Sequence, residues 1–526
     1  MNKSRFANAD RVSWILVLSA CVLEVVLGTM LACTQLPLCD EGFYGVPAHV
    51  LSSTGTLRNP VLESAGITYL HGIDQAFYWM APMGMVLQAG AFKVFGFRLL
   101  VQRELSVLCG LGAVLLWYLA LRRLIAVRVA ALAALFLSLD YVFLSLASRG
   151  RSDMISLFFG MAALAGYVHW RERSLTLALV VGNTACALSG MVHPNGGIAA
   201  LGSLLVLTFY LDRSRLRWRH FAVAAACYGL LTLGWGFYIA KAPDLFVAQF
   251  FGNVAGRLGG PITLTKLAKG EVTRYLSAYG VQNVHGIKRA RYLLPISYLG
   301  AVFLCAFSKD FRRRSAILLL MFAAGSLSLV LLEGAKQGWY LVHLSPLFCA
   351  FLAISVHWLW TKDNLLFRMV VPVQVVVVLL GLASAAYVAS NRNLQRLYQP
   401  TVDFLNAHIK PQDLVFARSE FYFGLTCRDC LRDDANLGAV SGKRAQYIVL
   451  DSDYNSHLMN LQEKNPEMYH DIEQRLNTEY RPVFSNSVYR VLEKTAPPVA
   501  GNRHLPWSAD LGTCLRQHQR RPRFAS

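Results

Sequence analysis

Uninterrupted runs of apolar residues occupy most of the first 390 positions of the chain. Each run is about 17 to 22 residues long, which is the length that an α-helix needs to cross a bilayer core of about 30 Å. The runs show none of the period-two alternation that the strands of a transmembrane β-barrel carry. Because only helices and closed barrels satisfy their backbone hydrogen bonds in lipid, the pattern predicts an all-α polytopic membrane protein.

The apolar runs predict about eleven transmembrane helices. They lie at residues 12–32, 104–121, 129–147, 154–170, 174–192, 197–211, 220–240, 292–308, 315–333, 339–360 and 369–390. The first run follows Lys3, Arg5 and Arg11, an arrangement that cleaved signal peptides also show. It is long for a signal peptide, and Met30 stands where a small residue is needed before Cys33, so we predict a retained first helix.

The hydrophobic pattern changes after residue 390. Short apolar segments at 414–417, 447–451 and 488–492 predict buried strands, and the stretches between them predict helices. We therefore predict a transmembrane module at residues 1–390 and a small soluble α/β domain at 391–526. The Pro- and Arg-containing tail after about residue 495 is predicted to be disordered.

Charge gives the predicted helices a direction. The chain has a net charge of +20 with only 16% charged residues, and clusters of arginine and lysine lie in the short turns after the second, fourth, sixth, eighth and tenth helices. Cytoplasmic loops carry this excess, so we predict a cytoplasmic N-terminus and an extracytoplasmic C-terminal domain in a bacterial-type inner membrane. Nucleic-acid binding would need the charge on one soluble face, and we exclude that class.

The apolar segment at 77–96 needs a separate interpretation. If it crossed the membrane, every later arginine cluster would lie outside, against the charge rule. We therefore predict that it is an interfacial helix within the first outer loop, residues 33–103.

Asp40 and Glu41 are adjacent carboxylates just beyond the first predicted helix. Such a pair at a membrane surface is costly unless it is used or paired. Acidic residues suit the first turn of a helix, so one interpretation is a helix start. In the other, a carboxylate acts as general base towards a hydroxyl or holds a metal. The residues alone leave both interpretations open.

More polar candidates fall on the same predicted side. Arg149, Arg151 and Asp153 precede the fourth helix, and the arginine fork matches phosphate oxygens, although one arginine at a helix end often only reaches the interface. His193 begins a tight turn, where it either caps the turn or binds a metal or a phosphate. Lys336 is a further candidate phosphate ligand before the tenth helix.

Four short motifs occur in order on this one predicted side. They are Asp40-Glu41-x-x-Tyr44, Phe77-Tyr78-Trp79…Phe95-Gly96…Arg103…Ser106, Arg149-Gly150-Arg151-Ser152-Asp153 and Lys336…Tyr340…Pro346. Together they resemble motifs of the GT-C glycosyltransferases that use polyprenyl-phosphate sugar donors. The nearer relatives by this resemblance are the protein O-mannosyltransferases and the aminoarabinose transferase that modifies lipid A. The resemblance covers about residues 12–390.

The resemblance implies an inverting transfer of a sugar from a polyprenyl-phosphate donor to an acceptor hydroxyl on the extracytoplasmic face. The acceptor would be a lipid, a glycan or a protein. By the same resemblance Asp40 would be the catalytic base and Glu41 would support it. The residues implied as ligands of the donor phosphate are Tyr44, Arg149 or Arg151, Lys336 and Tyr340.

One segment departs from the family pattern. Relatives have a Pro-containing stretch before the aromatic helix, often with an acid or a lysine, whereas this chain has His71-Gly72-Ile73-Asp74. His71 and Asp74 are candidates for a supporting role, as are Asp153 and His193. The sequence requires no metal, although a divalent cation is compatible with these side chains.

Two other classes of function compete with this interpretation. A lipid or sugar transporter or flippase would show internal repeats and charged, broken helices near the middle of the membrane. The sequence has no clear repeat, and its polar candidates lie at helix ends, with Asp140 and Glu24 as the exceptions. In the other class the C-terminal domain is a binding module on an anchor, for which eleven spans are far too many. Cys427 and Cys430 in that domain could be a redox pair or half a zinc site, and a disulfide is favoured if the domain faces an oxidising compartment; the sequence leaves the pair unassigned.

Overall fold

The computed structural model describes residues 3–258, 264–279, 293–334, 336–361 and 365–495. Its α-helices are α1 (Lys3–Ala32), α2 (Cys39–Thr54), α3 (Met83–Phe95), α4 (Leu99–Leu121), α5 (Val127–Leu139), α6 (Tyr141–Ala147), α7 (Ser152–Trp170), α8 (Leu175–Val192), α9 (Pro194–Asp212), α10 (Trp218–Ile239), α11 (Pro243–Phe246), α12 (Gly252–Leu258), α13 (Leu264–Ala278), α14 (Leu293–Phe307), α15 (Lys309–Leu332), α16 (Ser345–Thr361), α17 (Leu365–Ser390), α18 (Gln399–His408), α19 (Ser452–Lys464) and α20 (Pro466–Glu479). The predicted disordered tail after about residue 495 lies outside the described residues.

The chain is a multi-pass helical membrane protein. Six helices of the described part are long and apolar enough to cross a bilayer, and a bent pair, α5 with α6, brings the number to seven. The other predicted spans coincide with α7, α14, α16 and α17, which are helical as predicted. α3 has 13 residues and is therefore about 20 Å long, too short to span the bilayer core, in agreement with its exclusion from the predicted spans.

The predicted third span is broken at Asp140. α5 and α6 meet there at an angle of 62°. The Asp140 carboxylate accepts the Phe143 N–H at 2.8 Å, which caps α6, and it also accepts the hydroxyls of Tyr298 at 2.9 Å and Ser345 at 3.2 Å. These bonds satisfy a carboxylate that is buried among the helices, so the break is held by hydrogen bonds from three different helices.

The C-terminal region contains a five-stranded sheet in the order β2-β1-β3-β5-β4. The strands are β1 (Val415–Phe416), β2 (Leu431–Arg432), β3 (Tyr447–Leu450), β4 (Tyr480–Ser485) and β5 (Arg490–Lys494). β1, β2 and β3 are parallel, whereas β5 is antiparallel to both β3 and β4. Neighbouring strand residues alternate between two cores: Val415 faces the core that includes α18, and Phe416 faces the core that includes α19 and α20.

α2 connects this domain to the membrane helices. Val46 and Val50 of α2 lie in the same core as β1 and α18. The chain also returns to this place after its last long helix, because the Leu394 N–H donates to the Thr34 carbonyl just beyond α1 at 2.9 Å. The end of the helical bundle where α1 ends and α2 begins is called the site end below.

Candidate functional site

Glu41 holds the site end together through a buried ion pair with Arg103 of α4. Arg103 donates from Nε to Glu41 Oε1 at 2.7 Å and from Nη2 to Glu41 Oε2 at 2.8 Å, and both side chains are fully buried. Arg103 Nη1 also donates to the carbonyls of Ala32 at 2.6 Å and Gln35 at 3.0 Å. This bidentate pair therefore ties the end of α1, the start of α2 and α4 to one another.

The electrostatics of Glu41 favour its ionised form. Burial alone would raise the pKa of Glu41, but the Arg103 charge and the hydrogen bonds from Arg103, the Gly150 N–H and the Leu38 N–H outweigh it and lower the pKa below its ordinary value. A buried carboxylate with this many donors is a structural anchor, because none of its oxygens is left for a substrate.

The turn between α6 and α7 is fixed to Glu41. The Gly150 N–H donates to Glu41 Oε1 at 2.8 Å, and the Gly150 carbonyl accepts Gln102 Nε2 at 2.7 Å and Gln88 Nε2 at 3.1 Å. A Cβ on Gly150 would lie 2.5 Å from Gln102 Cγ, so only glycine fits this close approach. The two arginines on either side of Gly150 are consequently held at set positions.

Arg151 joins Asp40 to Asp153. Its Nε donates to Asp153 Oδ2 at 2.8 Å, and its Nη1 contacts Asp40 Oδ2. The guanidinium carbon also lies 5.3 Å from the centre of the Trp339 ring. The Asp40 side chain is 44% exposed, whereas that of Asp153 is fully buried. Asp40 is thus the carboxylate of this group that faces outward.

Arg149 lies beside the same tryptophan with part of its guanidinium unsatisfied. Its Nε donates to Gln35 Oε1 at 3.2 Å, and its guanidinium carbon lies 5.7 Å from the centre of the Trp339 ring. Its Nη1 is buried and has no hydrogen-bond partner among the described residues. An unsatisfied cationic donor of this kind is a ready site for an anion.

Asp153 also lies next to two histidines from other parts of the chain. His193 is the residue between α8 and α9, and His343 ends a short 3₁₀-helix, Gly338–His343, before α16. Asp153, His193 and His343 each offer one ligand atom, and these atoms lie within 4.8 Å of one another. The His193 ring centre is 5.1 Å from that of Tyr340. Within the part of the chain that the structure describes, these three side chains are the ones that could hold a metal ion.

The remaining predicted site residues have different surroundings. Lys336 Nζ is 3.1 Å from Glu271 Oε1 of α13, so its charge is balanced there. Tyr44 is buried in α2, four residues after Asp40, among the hydrophobic residues that pack α2 on α3. His71 and Asp74 are exposed in the loop before α3, where their backbone carbonyls accept hydrogen bonds from Gln249 and Arg58.

The C-terminal domain touches the acidic motif directly. Arg418, just after β1, donates from Nη2 to Cys39 Sγ at 2.9 Å, and its Nη1 lies 3.3 Å from Asp433 Oδ1. Gly42 packs against the Ser419 backbone, where a Cβ would lie 2.2 Å from the Ser419 carbonyl carbon. The domain therefore borders Asp40 on the side of Cys39 and Gly42.

Several residues of the site had no functional signal in the sequence. Gln102 lies just before the predicted second span and His343 lies within the predicted tenth span, and nothing in the spacing distinguishes either residue. Arg103 appeared only as part of a motif, with no partner assigned. Arg418 belongs to the C-terminal domain, and the hydropathy pattern does not reveal that this domain packs over α2. Cys427 and Cys430, which the sequence left unassigned, form a disulfide.

The fold is similar to those of solved membrane glycosyltransferases. No family model matches the sequence, and no curated protein matches it significantly. A crystal structure of ArnT from Cupriavidus metallidurans bound to undecaprenyl phosphate superposes with a TM-score of 0.61 and 15% identity, covering 93% of this chain and 99% of that chain. The Archaeoglobus fulgidus oligosaccharyltransferase tethered to an acceptor peptide superposes with a TM-score of 0.52 and 13% identity, covering 92% of this chain and 75% of that chain. The chain therefore has the fold of the GT-C glycosyltransferases.

Proposed function

We propose that this protein is a membrane glycosyltransferase that moves a sugar from a polyprenyl-phosphate donor to an acceptor hydroxyl. The observation that carries the proposal is that Asp40, an outward-facing carboxylate, contacts Arg151, and that Arg151 and the unsatisfied guanidinium of Arg149 both lie against the Trp339 ring. Support comes from the shared fold with ArnT, whose crystal structure contains undecaprenyl phosphate. The acceptor class is a lipid, a glycan or a protein.

In the proposed reaction Asp40 is the base. The Asp40 carboxylate takes the proton of the acceptor hydroxyl, whose oxygen attacks the anomeric carbon from the side opposite the phosphate. The bond between that carbon and the phosphate oxygen breaks, and polyprenyl phosphate leaves with the bonding electrons. This single displacement inverts the anomeric configuration. Arg149 neutralises the charge that grows on the leaving phosphate, which is where electrostatic help is largest.

The contacts around Asp40 suggest a different role for each of the other candidate residues. Arg151 is engaged by two carboxylates, so we assign it to orienting Asp40 and assign the phosphate to Arg149. Tyr44, Lys336 and Tyr340 remain proposed ligands of the donor phosphate. Glu41 acts through Arg103 and the Gly150 turn as a positioning residue. In this proposal residues 1–390 carry out the transfer, and the domain at 391–526 forms a wall beside Asp40.

A transporter is the second candidate function, because α5 and α6 form a broken helix with a carboxylate at the break. Broken helices that carry charge are the feature that transporter sites share. The Asp140 oxygens, however, are already bonded to Phe143, Tyr298 and Ser345, which leaves little capacity for a substrate ion. We therefore favour the transferase.

Donor transfer by the purified full-length chain tests the proposal. We expect the wild type to move radiolabel from a panel of polyprenyl-phosphate sugars to a component of native membranes, with release of polyprenyl phosphate. Arg149→Ala should raise the KM for the donor about 10- to 100-fold, since a hydrogen bond to a charged group contributes about 1.5–3 kcal/mol. Arg213→Ala, an arginine exposed at the other end of α9, is the matched control. Transfer from a nucleotide sugar without polyprenyl phosphate would contradict the proposed donor class.

The proposed orientation places the site end outside the cytoplasm. We expect a membrane-impermeant maleimide to label Thr56→Cys in intact cells whose outer membrane has been permeabilised, and to label Arg217→Cys only after lysis. Both positions are exposed, and they lie after α2 and before α10 respectively. A variant without added cysteine measures the labelling of the native thiols. The opposite pattern would reverse the orientation derived from the loop charges.

A further inference from the structure

Asp153, His193 and His343 form a compact set of ligand atoms at the site end. They come from the start of α7, the turn between α8 and α9, and the residue two before α16, so three separate segments converge on one point. Their relative exposures are 0%, 3% and 6%, and the one ligand atom that each offers lies within 4.8 Å of the others. Such convergence of buried polar atoms carries a desolvation cost that a bound ion would offset.

Two atoms of this set lack a partner. Asp153 Oδ2 accepts Arg151 Nε, but Asp153 Oδ1 is buried with no hydrogen-bond partner among the described residues, and the same holds for His343 Nε2. A buried, unsatisfied carboxylate oxygen and a buried, unsatisfied ring nitrogen therefore belong to residues whose ligand atoms lie within 4.8 Å of one another. The geometry points to a cation between them.

The imidazole of His343 packs closely against Gly196 at the start of α9. A Cβ on Gly196 would lie 2.6 Å from His343 Cε1 and 2.1 Å from Ser156 Oγ. His343 and Gly196 also line a small, mainly apolar pocket between α4, α7, α9, α15 and α16. The His343 ring is thus held against α9, on the side where His193 begins that helix.

We propose that Asp153, His193 and His343 bind one divalent transition-metal ion of the Zn²⁺ class. Two imidazole nitrogens and one carboxylate oxygen are a ligand set that Zn²⁺ uses when its fourth position is left to water or a substrate oxygen. Ligand bonds of about 2.0–2.2 Å in a tetrahedron would bring the three atoms to roughly 3–3.5 Å from one another, so small rotations of the side chains suffice. Ca²⁺ and Mg²⁺ prefer sets of oxygen atoms and fit less well.

The ion would act on the proposed reaction through a chain of contacts. It would hold Asp153 by Oδ1, Asp153 Oδ2 holds Arg151, and Arg151 contacts Asp40. The three ligands are therefore positioning residues for the base, and this part of the inference rests on the proposed function. Losing a contact of this indirect kind typically costs about 10- to 100-fold in activity or metal affinity.

Metal analysis tests the site without any assay of transfer. The full-length chain, purified in detergent with an affinity tag that contains no histidine, is loaded with Zn²⁺, passed over a chelating resin and analysed by mass spectrometry for metals. We expect about one Zn²⁺ per chain in the wild type and background levels in His343→Ala and His193→Ala. His169→Ala, an exposed histidine at the other end of α7, should keep its ion. A wild type without metal, or equal metal in His343→Ala, would overturn the site.

A rescue variant separates loss of the ion from loss of the fold. His343→Cys keeps a ligand at this position, so it should retain about one ion per chain, and its Co²⁺ form should gain a sulfur-to-metal absorption band that the wild type lacks. Retention of metal without that band would mean that residue 343 is not a ligand. If His343 instead carries a proton that satisfies Asp153, neither protein will bind Co²⁺, and the metal site is wrong.

Kinetics then test the positioning role. Removing the ion should lower kcat about 10- to 100-fold with little change in the KM for the donor, because the contacts from Asp153 lead through Arg151 to Asp40, the proposed base. An unchanged kcat would contradict the positioning role and leave the proposed function intact. A protein that binds one ion but transfers no sugar would contradict the proposed function and leave the metal site intact.

Discussion

Asp40→Asn should reduce kcat for sugar transfer by about 10²- to 10⁴-fold, the usual contribution of a general base. Asparagine keeps the size of the side chain and can still accept the Arg151 N–H, but it cannot take the proton of the acceptor hydroxyl. The KM for the donor should change little, because the proposed phosphate contact of Arg149 is retained. The measurement is the initial rate of label transfer at saturating donor.

A matched variant separates the chemistry of Asp40 from a general effect of losing one carboxylate. Asp403→Asn, on the exposed side of α18, removes the same charge from a residue that bonds only to Gln399 among the described contacts. It should transfer sugar at the wild-type rate. Both variants should melt at temperatures close to that of the wild type, since neither side chain is buried. Equal kcat for Asp40→Asn and the wild type would rule out Asp40 as the base.

Glu41→Gln is expected to destabilise the folded protein by about 3–5 kcal/mol, the usual cost of removing one partner from a buried ion pair. Arg103 would keep its charge in a fully buried place without its carboxylate partner. The Gly150 turn would also lose its contact with a carboxylate, and activity should fall as Asp40 and Arg149 lose their fixed positions. The apparent melting temperature in detergent measures the first effect.

An exposed ion pair provides the control for Glu41. Arg481 and Glu493 pair at 2.9 Å on the surface of the C-terminal domain, and Arg481→Gln should cost less than about 1 kcal/mol of folding free energy.

The dependence of stability on pH is a second test of the role of Glu41. Because folding lowers the pKa of Glu41, its contribution is fully present above the unfolded value of about 4.3 and is lost as the pH falls through the folded value. The melting temperature of Glu41→Gln should therefore fall less than that of the wild type when the pH is lowered through this range. An unchanged melting temperature would show that the pair is not an anchor.

Much of the fold was predictable because lipid imposes one simple requirement on the backbone. Apolar runs long enough to cross the bilayer gave helices at every predicted span, including the pair that meets at Asp140. The bend itself was not predictable, because it depends on hydroxyls of Tyr298 and Ser345, far away in sequence. β2 and β4 were both missed. Leu431 and Arg432 are too few residues to show alternation, and β2 exists by pairing with β1. β4 contains Pro482, a residue that strands rarely contain.

The sequence predicted which residues belong to the candidate site better than it predicted the contacts between them. Loop charge placed Asp40, Arg149 and Arg151 on one side, and the contacts between Asp40 and Arg151 agree with that grouping. The ion pairs themselves could not be predicted from the sequence. Glu41 pairs with Arg103 and not with another cation because of the shape and burial of the folded site. The same limit explains why the contact between Lys336 and Glu271 could not be predicted.

The close approach of Gly42 to Ser419 has a consequence for protein engineering. One way to change which acceptors the protein uses would be to build chimeras. In such chimeras the C-terminal domain is exchanged for that of a relative. At Gly42 the two backbones are so close that no side chain fits between them. A transplanted domain with even a slightly different path at this point would tilt α2 and carry Asp40 with it. Successful chimeras should therefore take α2 and the C-terminal domain from the same parent.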